Sequence, residues 1–195
     1  MAKQDQVPHR TEGEETLLEA LPAVVRRFLD LGTGDGRLLA LVLAARPDAQ
    51  AIGVDMSPPM LQAARRRFDG DANAQIIDHD LNDPLPELGE FDAIVSSFAI
   101  HHCPDVRKQT LYAECFNRLR PGGVLLNLEH VASPTLRLQE VFLAAMNMTL
   151  GDEDRSNILL DVWTQLRWLE ELGFEDVDCL WKWRELALLG GVKPQ

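Results

Sequence analysis

Cysteine is scarce in this sequence of 195 residues, and its three copies, Cys103, Cys115 and Cys179, lie far apart. An odd number without a Cys-x-x-Cys pair argues against a disulfide framework or a zinc site and favours a reducing compartment. Long apolar runs are also missing. Residues 1–13 are polar, and no segment reaches the roughly 18 apolar residues that a membrane-spanning helix needs. We therefore expect a cytoplasmic protein with no membrane partner and no bound metal.

Positively charged residues are also few. The chain has 19 lysines and arginines and 31 aspartates and glutamates, which gives a net charge of -12. Binding to phosphate backbones depends on clustered Lys and Arg, so free nucleic acid is not an expected partner. Hydrophobic residues make up 46% of the chain, as in an ordinary soluble domain. The chain shows no linker, repeat or low-complexity tract, and we predict one domain over residues 1–195, as a monomer or homodimer.

The most informative stretch is a glycine-rich turn between two apolar segments. Residues 27–31 predict a buried strand that ends near Asp30, and an apolar helical pattern begins at Leu38. Between them, Gly32, Gly34 and Gly36 permit positive φ angles and let a ligand approach the main chain. This stretch predicts a strand, a tight turn and a helix that together hold a ligand.

The spacing of that turn separates three ligand classes. A phosphate-binding P-loop needs a Lys-Ser/Thr pair after its last glycine, where this chain has Arg37-Leu38. A dinucleotide-binding fingerprint would place its third glycine at position 37. A carboxylate at the end of the strand, as Asp30 provides, suits a ligand with an ammonium group better than one with a pyrophosphate.

Further acids follow the next predicted strands. The strand 51–55 ends in Asp55, 21 residues after Gly34, where a doubly wound fold places the carboxylate that bonds a ribose hydroxyl. A third strand, 74–78, leads into Asp80-Leu81. Later, residues 119–123 read Leu-Arg-Pro-Gly-Gly and predict a turn before a fifth strand over residues 124–129.

Taken in order, these four signatures resemble the class I S-adenosylmethionine-dependent methyltransferases of small-molecule type, over about residues 14 to 193. The resemblance implies S-adenosyl-L-methionine as cofactor and methyl transfer to a small-molecule substrate. It also implies that Asp80 bonds the adenine amino group while Leu81 packs on the ring, with Asp78 as the alternative acid. The predicted cofactor-binding residues are Asp30, Gly32, Thr33, Gly34, Gly36, Asp55, Met56, Asp80, Leu81 and Ser97.

The loop after the fourth strand should face the acceptor, since ligands bind at the carboxyl ends of the strands in such sheets. Ser97-Phe98-Ala99 is unlike the Asp/Asn-Pro-Pro-aromatic run of DNA and RNA amino-methyltransferases. Cys103-Pro104 reverses the Pro-Cys order of cytosine-C5 enzymes, and Ser96 replaces the aspartate of metal-dependent catechol-type enzymes. These three substrate classes are therefore disfavoured.

Two side chains are candidates for acid–base catalysis. His102, in the pair His101-His102, follows the fourth strand, and only one of two adjacent histidines can point into a site from an extended strand. Glu129 ends the fifth strand at the same edge of the sheet. We predict His102 or Glu129 as the base, required only where the acceptor carries a proton at working pH.

The predicted fold is an α/β three-layer, Rossmann-like sandwich with a seven-stranded, mostly parallel sheet. Its last two strands, about 174–183 and 184–189, should form a C-terminal antiparallel hairpin. Residues 1–22 predict an arm and a helix over the cofactor site, and residues 133–161 a helical insertion that serves as a substrate lid.

Three other functions remain open at this point. A related enzyme could make a carboxymethyl form of S-adenosylmethionine for tRNA modification, with Arg10, Arg137 or Arg155 holding the second anion. A module that binds the cofactor without catalysis is a second alternative. A nicotinamide oxidoreductase is a third, disfavoured by Asp30 and Arg37.

Overall fold

The computed structural model describes residues 8–195. Residues 1–7 of the predicted arm lie outside the described residues. The strands are β1 (Arg27–Leu31), β2 (Gln50–Asp55), β3 (Ala74–Asp78), β4 (Phe91–Ser97), β5 (Leu119–His130), β6 (Glu175–Trp183) and β7 (Leu186–Val192). The helices are α1 (Arg10–Ala20), α2 (Arg37–Ala45), α3 (Pro58–Arg67), α4 (Asp105–Arg118), α5 (Leu136–Ala145) and α6 (Val162–Leu172).

The strands form one sheet in the order β3-β2-β1-β4-β5-β7-β6. Strands β1 to β5 are parallel, whereas β7 runs antiparallel to both β5 and β6. This arrangement confirms the predicted seven-stranded sheet with its C-terminal hairpin. The chain order reverses between β1 and β4, and a crevice for a ligand opens at the carboxyl ends of the strands at such a reversal.

Alternating side chains build one apolar core on each face of the sheet. Phe28 of β1 and Val95 of β4 pack with Leu17 of α1 and Leu39 of α2. Their neighbours in sequence, such as Leu29 and Ile94, face the opposite core. That second core includes Leu111 and Tyr112 of α4, and Leu169 of α6. Because successive strand side chains point to opposite faces, each face of the sheet is apolar, and helices cover both faces. The result is the predicted three-layer arrangement.

Strand β5 begins earlier than predicted. It starts at Leu119, so the Arg-Pro-Gly-Gly segment lies inside the strand and the predicted turn before it is wrong. The pairing with β4 shifts register at this point, and Gly122 has a φ of 76°. Gly122 N donates to Lys193 O, and Lys193 N donates to Gly123 O. A glycine bulge held by the end of the chain therefore replaces a free turn.

Other boundaries move by a few residues. The helix predicted within residues 1–22 is α1, from Arg10 to Ala20, and β7 runs to Val192 rather than to Leu189. Within residues 8–195, no helix is long and apolar enough to cross a membrane.

Candidate active site

A cavity of about 310 Å³ opens where the carboxyl ends of β1, β2 and β4 meet the loop after β3. This is the place at which the reversal in strand order predicts a ligand. The cavity is lined by Gly32, Gly34, Asp55, Met56, Ser57, Met60, His79, Asp80, Leu81, Asn82, Ser97, Phe98, Ala99, His102 and Cys103. Its volume is within the range of small-molecule binding sites.

Gly32 is required by both conformation and space. Its φ is 68°, and a Cβ at this position would lie 2.1 Å from the Cβ of Ala99. The turn after it is fixed by Asp55, whose Oδ2 accepts from Gly34 N at 2.9 Å and whose Oδ1 accepts from Ser57 N at 2.8 Å. A carboxylate has further lone pairs, so Asp55 retains the capacity to accept from a ligand hydroxyl.

A small recess adjoins the cavity behind the turn, and Asp30 is its buried acid. Thr33 Oγ1 donates to Asp30 Oδ2 at 2.7 Å, while Asp30 Oδ1 is buried and makes no hydrogen bond among the described residues. Ser97 Oγ, which lines both spaces, is also buried and unpartnered. Burial, opposed by the Thr33 hydrogen bond and assisted by the charge of Asp55, raises the pKa of Asp30 to about 7. One carboxylate oxygen of Asp30 therefore lies beside the recess without a hydrogen-bond partner among the described residues.

Two arginines line the same recess and are held by a buried glutamate of α1. Arg10 Nε donates to Glu14 Oε1 at 2.8 Å. Arg37 makes two bonds to the same carboxylate, Nε to Oε1 at 2.9 Å and Nη2 to Oε2 at 2.7 Å. Burial acts to raise the pKa of Glu14, but the two guanidinium groups outweigh it and keep the pKa low. The Glu14 carboxylate of α1 thus holds one guanidinium group from α1 and one from α2 beside the glycine turn.

Asp80 and Leu81, which are predicted to bind adenine, also line the cavity. Asp78 is exposed at the end of β3 and is not part of the lining. Met56 also lines the cavity and is 57% exposed. Gly36, by contrast, lines neither the cavity nor the recess. It begins α2 at a φ of 83°, and a Cβ there would meet the Phe68 ring at 2.5 Å.

The wall beyond the end of β4 comes from a short 3-10 turn, Ile100–His102. His102 lines the cavity, and its Nδ1 lies 3.1 Å from Ser156 Oγ and 3.3 Å from Ser156 O. Ile158 N donates to His101 O at 2.9 Å. The segment before α6 therefore closes over this turn, which places part of the predicted 133–161 insertion beside the cavity.

Glu129 does not line the cavity; it is buried behind His101. Its Oε1 lies 2.5 Å from His101 Nδ1 and accepts from His130 N at 2.8 Å. Burial acts to raise the pKa of Glu129, but the charge and hydrogen bond of His101 outweigh it, so the pKa is lowered. This geometry does not offer Glu129 to an acceptor, and we assign it a supporting position instead of the predicted role as base.

Several contacts around the site could not be predicted from the sequence. Arg10 and Glu14 are spaced as a helical ion pair, which is a readable signal, but Arg37 lies 23 residues away from Glu14. Lys108 is buried on α4, donating to Asp105 Oδ1 at 2.8 Å and to the carbonyl of Ile158. The contacts of Arg37 with Glu14 and of Lys108 with Ile158 have no local spacing, because they depend on how distant segments pack.

Comparison with known proteins agrees with this geometry. Residues 28–123 match the family model described as a methyltransferase domain. The chain is 35% identical, over 117 residues, to a demethylmenaquinone methyltransferase of Thermus thermophilus, which covers 59% of this chain and 52% of the relative. Residues 28–123 therefore form a methyltransferase domain, and the sequence and fold are similar to those of class I S-adenosylmethionine-dependent methyltransferases.

Another similar member of this methyltransferase family is a trans-aconitate 2-methyltransferase of Methylobacterium radiotolerans. It is 37% identical over 139 residues, covering 70% of this chain and 51% of the relative. The chain thus spans about half the length of these curated relatives. The fold resembles that of the S-adenosylmethionine-dependent methyltransferase SibL, at a TM-score of 0.73 and 22% identity over 95% of this chain and 55% of that one.

Proposed function

We propose that the protein transfers the methyl group of S-adenosylmethionine to a small-molecule acceptor. The observation that carries this proposal is the recess behind the glycine turn. Its unpartnered, buried Asp30 Oδ1 and the nearby guanidinium of Arg10 match the two charges of an amino-acid tail. Both lie beside a larger cavity that ends in acids suited to a nucleoside.

In this proposal, different residues bind different parts of the cofactor. Asp30 holds the ammonium group, and Arg10 faces the carboxylate. Asp55 and Met56 lie at the ribose, while Asp80 and Leu81 lie at the adenine. A ligand ammonium at Asp30 also stabilises the ionised carboxylate, which burial alone disfavours.

When bound, the cofactor supplies a methyl group on a positively charged sulfur. The chain then contributes mainly orientation, because holding two reactants in line lowers the barrier without a covalent enzyme intermediate. Phe98, Ala99 and Cys103 bound the acceptor side of the cavity, with His102 as its titratable group. The relatives named for demethylmenaquinone and trans-aconitate support a small-molecule acceptor for this chain as well.

The carboxymethyl alternative gains no support from the positions of its arginines. Arg10 lines the tail recess and pairs with Glu14. Arg155 lines a separate cavity with Gln139 and Asn157, and Arg137 is exposed on α5. The cytoplasmic location and the monomeric or homodimeric state stay predictions.

A calorimetric titration with S-adenosylmethionine tests the proposal, with NAD as the control ligand. Asp80→Asn should raise the Kd about 10- to 100-fold, since it removes a charged acceptor of one hydrogen bond. Asp78→Asn is the matched control, because this acid lies two residues away and outside the cavity. Failure of the folded wild-type protein to bind the cofactor, or equal affinity for NAD, would contradict the proposal. Binding without turnover of any acceptor would indicate the non-catalytic module.

A further inference from the structure

Helix α1 packs tightly on the sheet, which fixes where its side chains meet the recess. Leu17 is fully buried in the core that it shares with Leu128 of β5. Gly13 lies against the same strand, and a Cβ there would come within 2.7 Å of Leu128 Cδ1 and 3.1 Å of the Trp181 ring. The missing side chain allows this close packing. Glu14, the next residue, is thereby buried next to the arginines of the recess and is only 2% exposed.

The carboxylate of Glu14 engages the two arginines of the recess differently. Arg37 donates to both oxygens, so its charge is largely matched by the carboxylate. Arg10 donates to one oxygen through Nε, the guanidinium nitrogen nearest to its aliphatic stem. Because the guanidinium is planar, this contact and the position of the helix together define the direction in which the terminal nitrogens of Arg10 point.

An aromatic ring holds Arg10 from the other side. The Arg10 guanidinium lies over the Phe98 ring, 5.4 Å from its centre, and a ring face stabilises a cation. Phe98 directly follows Ser97, which lines the recess together with Arg10. The side chain of Arg10 is therefore held between the carboxylate of Glu14 and the end of β4, and it is only 12% exposed.

Glu14 also balances the charge of the recess. Arg10 and Arg37 carry two positive charges, and Glu14 cancels one of them. A single positive charge is thus left to face a carboxylate, beside the unpartnered oxygen of Asp30 that faces an ammonium group. Without Glu14, the two guanidinium groups would repel each other and move apart.

We propose that Glu14 is a positioning residue for the amino-acid tail of the cofactor: it directs Arg10 at the tail carboxylate and cancels the charge of Arg37. Glu14 does not line the recess itself, so it acts through Arg10. This inference rests on the methyl transfer proposed above, because it concerns the ligand of the same recess.

A pair of ligands separates positioning of the tail from a general structural role. S-adenosylhomocysteine carries the amino-acid tail, whereas 5′-methylthioadenosine has the same nucleoside and thioether without it. Binding of both ligands is measured by calorimetry, to the wild type and to Glu14→Gln. We expect the variant to bind S-adenosylhomocysteine about 5- to 50-fold more weakly and 5′-methylthioadenosine within about twofold of the wild type. Equal weakening of both ligands would overturn the inference.

The sign of the change separates orientation from charge. Glu14→Gln leaves the recess with one more positive charge, which by itself attracts a carboxylate. Tighter or unchanged binding of S-adenosylhomocysteine by this variant would therefore overturn the inference. Glu15→Gln is the matched control, because it makes the same change at the neighbouring, exposed position of α1. This control should leave both affinities unchanged.

Changes at Arg10 test the inference with the buried carboxylate still in place. Arg10→Lys keeps the positive charge but lacks the planar fork and its Nε–H, so we expect at least about a fivefold loss of S-adenosylhomocysteine affinity. Combining Glu14→Gln with Arg10→Met should weaken this ligand no more than Arg10→Met alone, since Glu14 acts through Arg10. Additive losses, or full affinity of Arg10→Lys, would overturn the inference.

The wild-type measurements separate this inference from the proposed function. A wild type that prefers S-adenosylhomocysteine to 5′-methylthioadenosine, with variants that depart from these expectations, keeps the proposed function and loses the inference. Equal affinity of the wild type for the two ligands also overturns the inference, because the tail is then not recognised. A folded wild type that binds neither S-adenosylmethionine nor S-adenosylhomocysteine loses both.

Discussion

The two sides of the cavity are built in different ways. On the proposed cofactor side, Gly32 and Gly34 act through a positive-φ main chain, and the Asp55 carboxylate of the adjacent strand fixes their turn. On the acceptor side, His101 and Glu129 meet across 28 residues of sequence, and Lys108 meets Ile158 across 50. The first side is shaped by the main chain and admits few substitutions. The second is assembled from side chains of distant segments, which makes it the part that can vary between members of one family.

The largest effect should come from the cofactor side. Gly32→Ala places a side chain at positive φ and 2.1 Å from the Ala99 Cβ, so we expect a loss of about 2 to 5 kcal/mol in unfolding free energy. Gly70→Ala is the control, because Gly70 has a φ of 79° but no atom within 4 Å of the added Cβ. Gly70→Ala should lower the unfolding free energy, measured by urea unfolding, by about 1 to 2 kcal/mol. Equal losses would show that space at Gly32 does not matter.

The next effect concerns the buried pair on the acceptor side. Glu129→Gln leaves His101 without its charged partner, and we expect a loss of about 2 to 4 kcal/mol in unfolding free energy. Combining it with His101→Gln in a double-mutant cycle measures the coupling of the pair. Additive losses would mean that the two residues do not act together.

A gain in stability is expected at Asp30. Its folded pKa of about 7 lies above the unfolded value of about 3.8, so unfolding free energy falls as pH rises between these values. Asp30→Asn cannot ionise and should be more stable than the wild type by about 2 to 4 kcal/mol at pH 7.5, with little difference at pH 4. It should also weaken cofactor binding at least about tenfold, since it removes the charge that meets the ammonium. Thermal unfolding at the two pH values is the measurement, and a difference that does not change with pH would contradict the shift.

The smallest global effect should follow from Lys108→Met. The buried ammonium holds the carbonyl of Ile158, so its loss should speed amide exchange in residues 155–160 about 5- to 30-fold. Global unfolding free energy should change by no more than about 1 kcal/mol, since methionine fills the same space. Lys182→Met, at an exposed position of β6, is the control and should leave this exchange unchanged. Unaltered amide exchange in Lys108→Met would mean that Lys108 does not hold residues 155–160 in place.

The same division explains what the sequence could predict. Strand periodicity and the acids at strand ends predicted the sheet, with Asp55 and Asp80 at the cavity and Asp30 at the adjoining recess. The Gly122 bulge was mistaken for a turn, because glycine with positive φ serves both structures and only pairing with Lys193 decides between them. Glu129 was placed at the correct edge of the sheet, but its direction depends on His101, whose position follows from a 3-10 turn without a local signature. Positions that depend on short-range geometry could be predicted from the sequence. Positions that depend on tertiary packing could not.

The position of β7 has a consequence for how the protein folds. β7 lies between β5 and β6, so His130 of β5 pairs with Leu186 and Val124 pairs with Val192. During synthesis, β5 emerges from the ribosome about 60 residues before β7, its neighbour on the second edge. That edge stays unpaired until β7 has been made, at synthesis rates of about 5 to 20 residues per second. Such an edge is open to pairing with other chains. Pairing with β7 therefore covers this edge of β5, and it can do so only after residues 186–192 have been made.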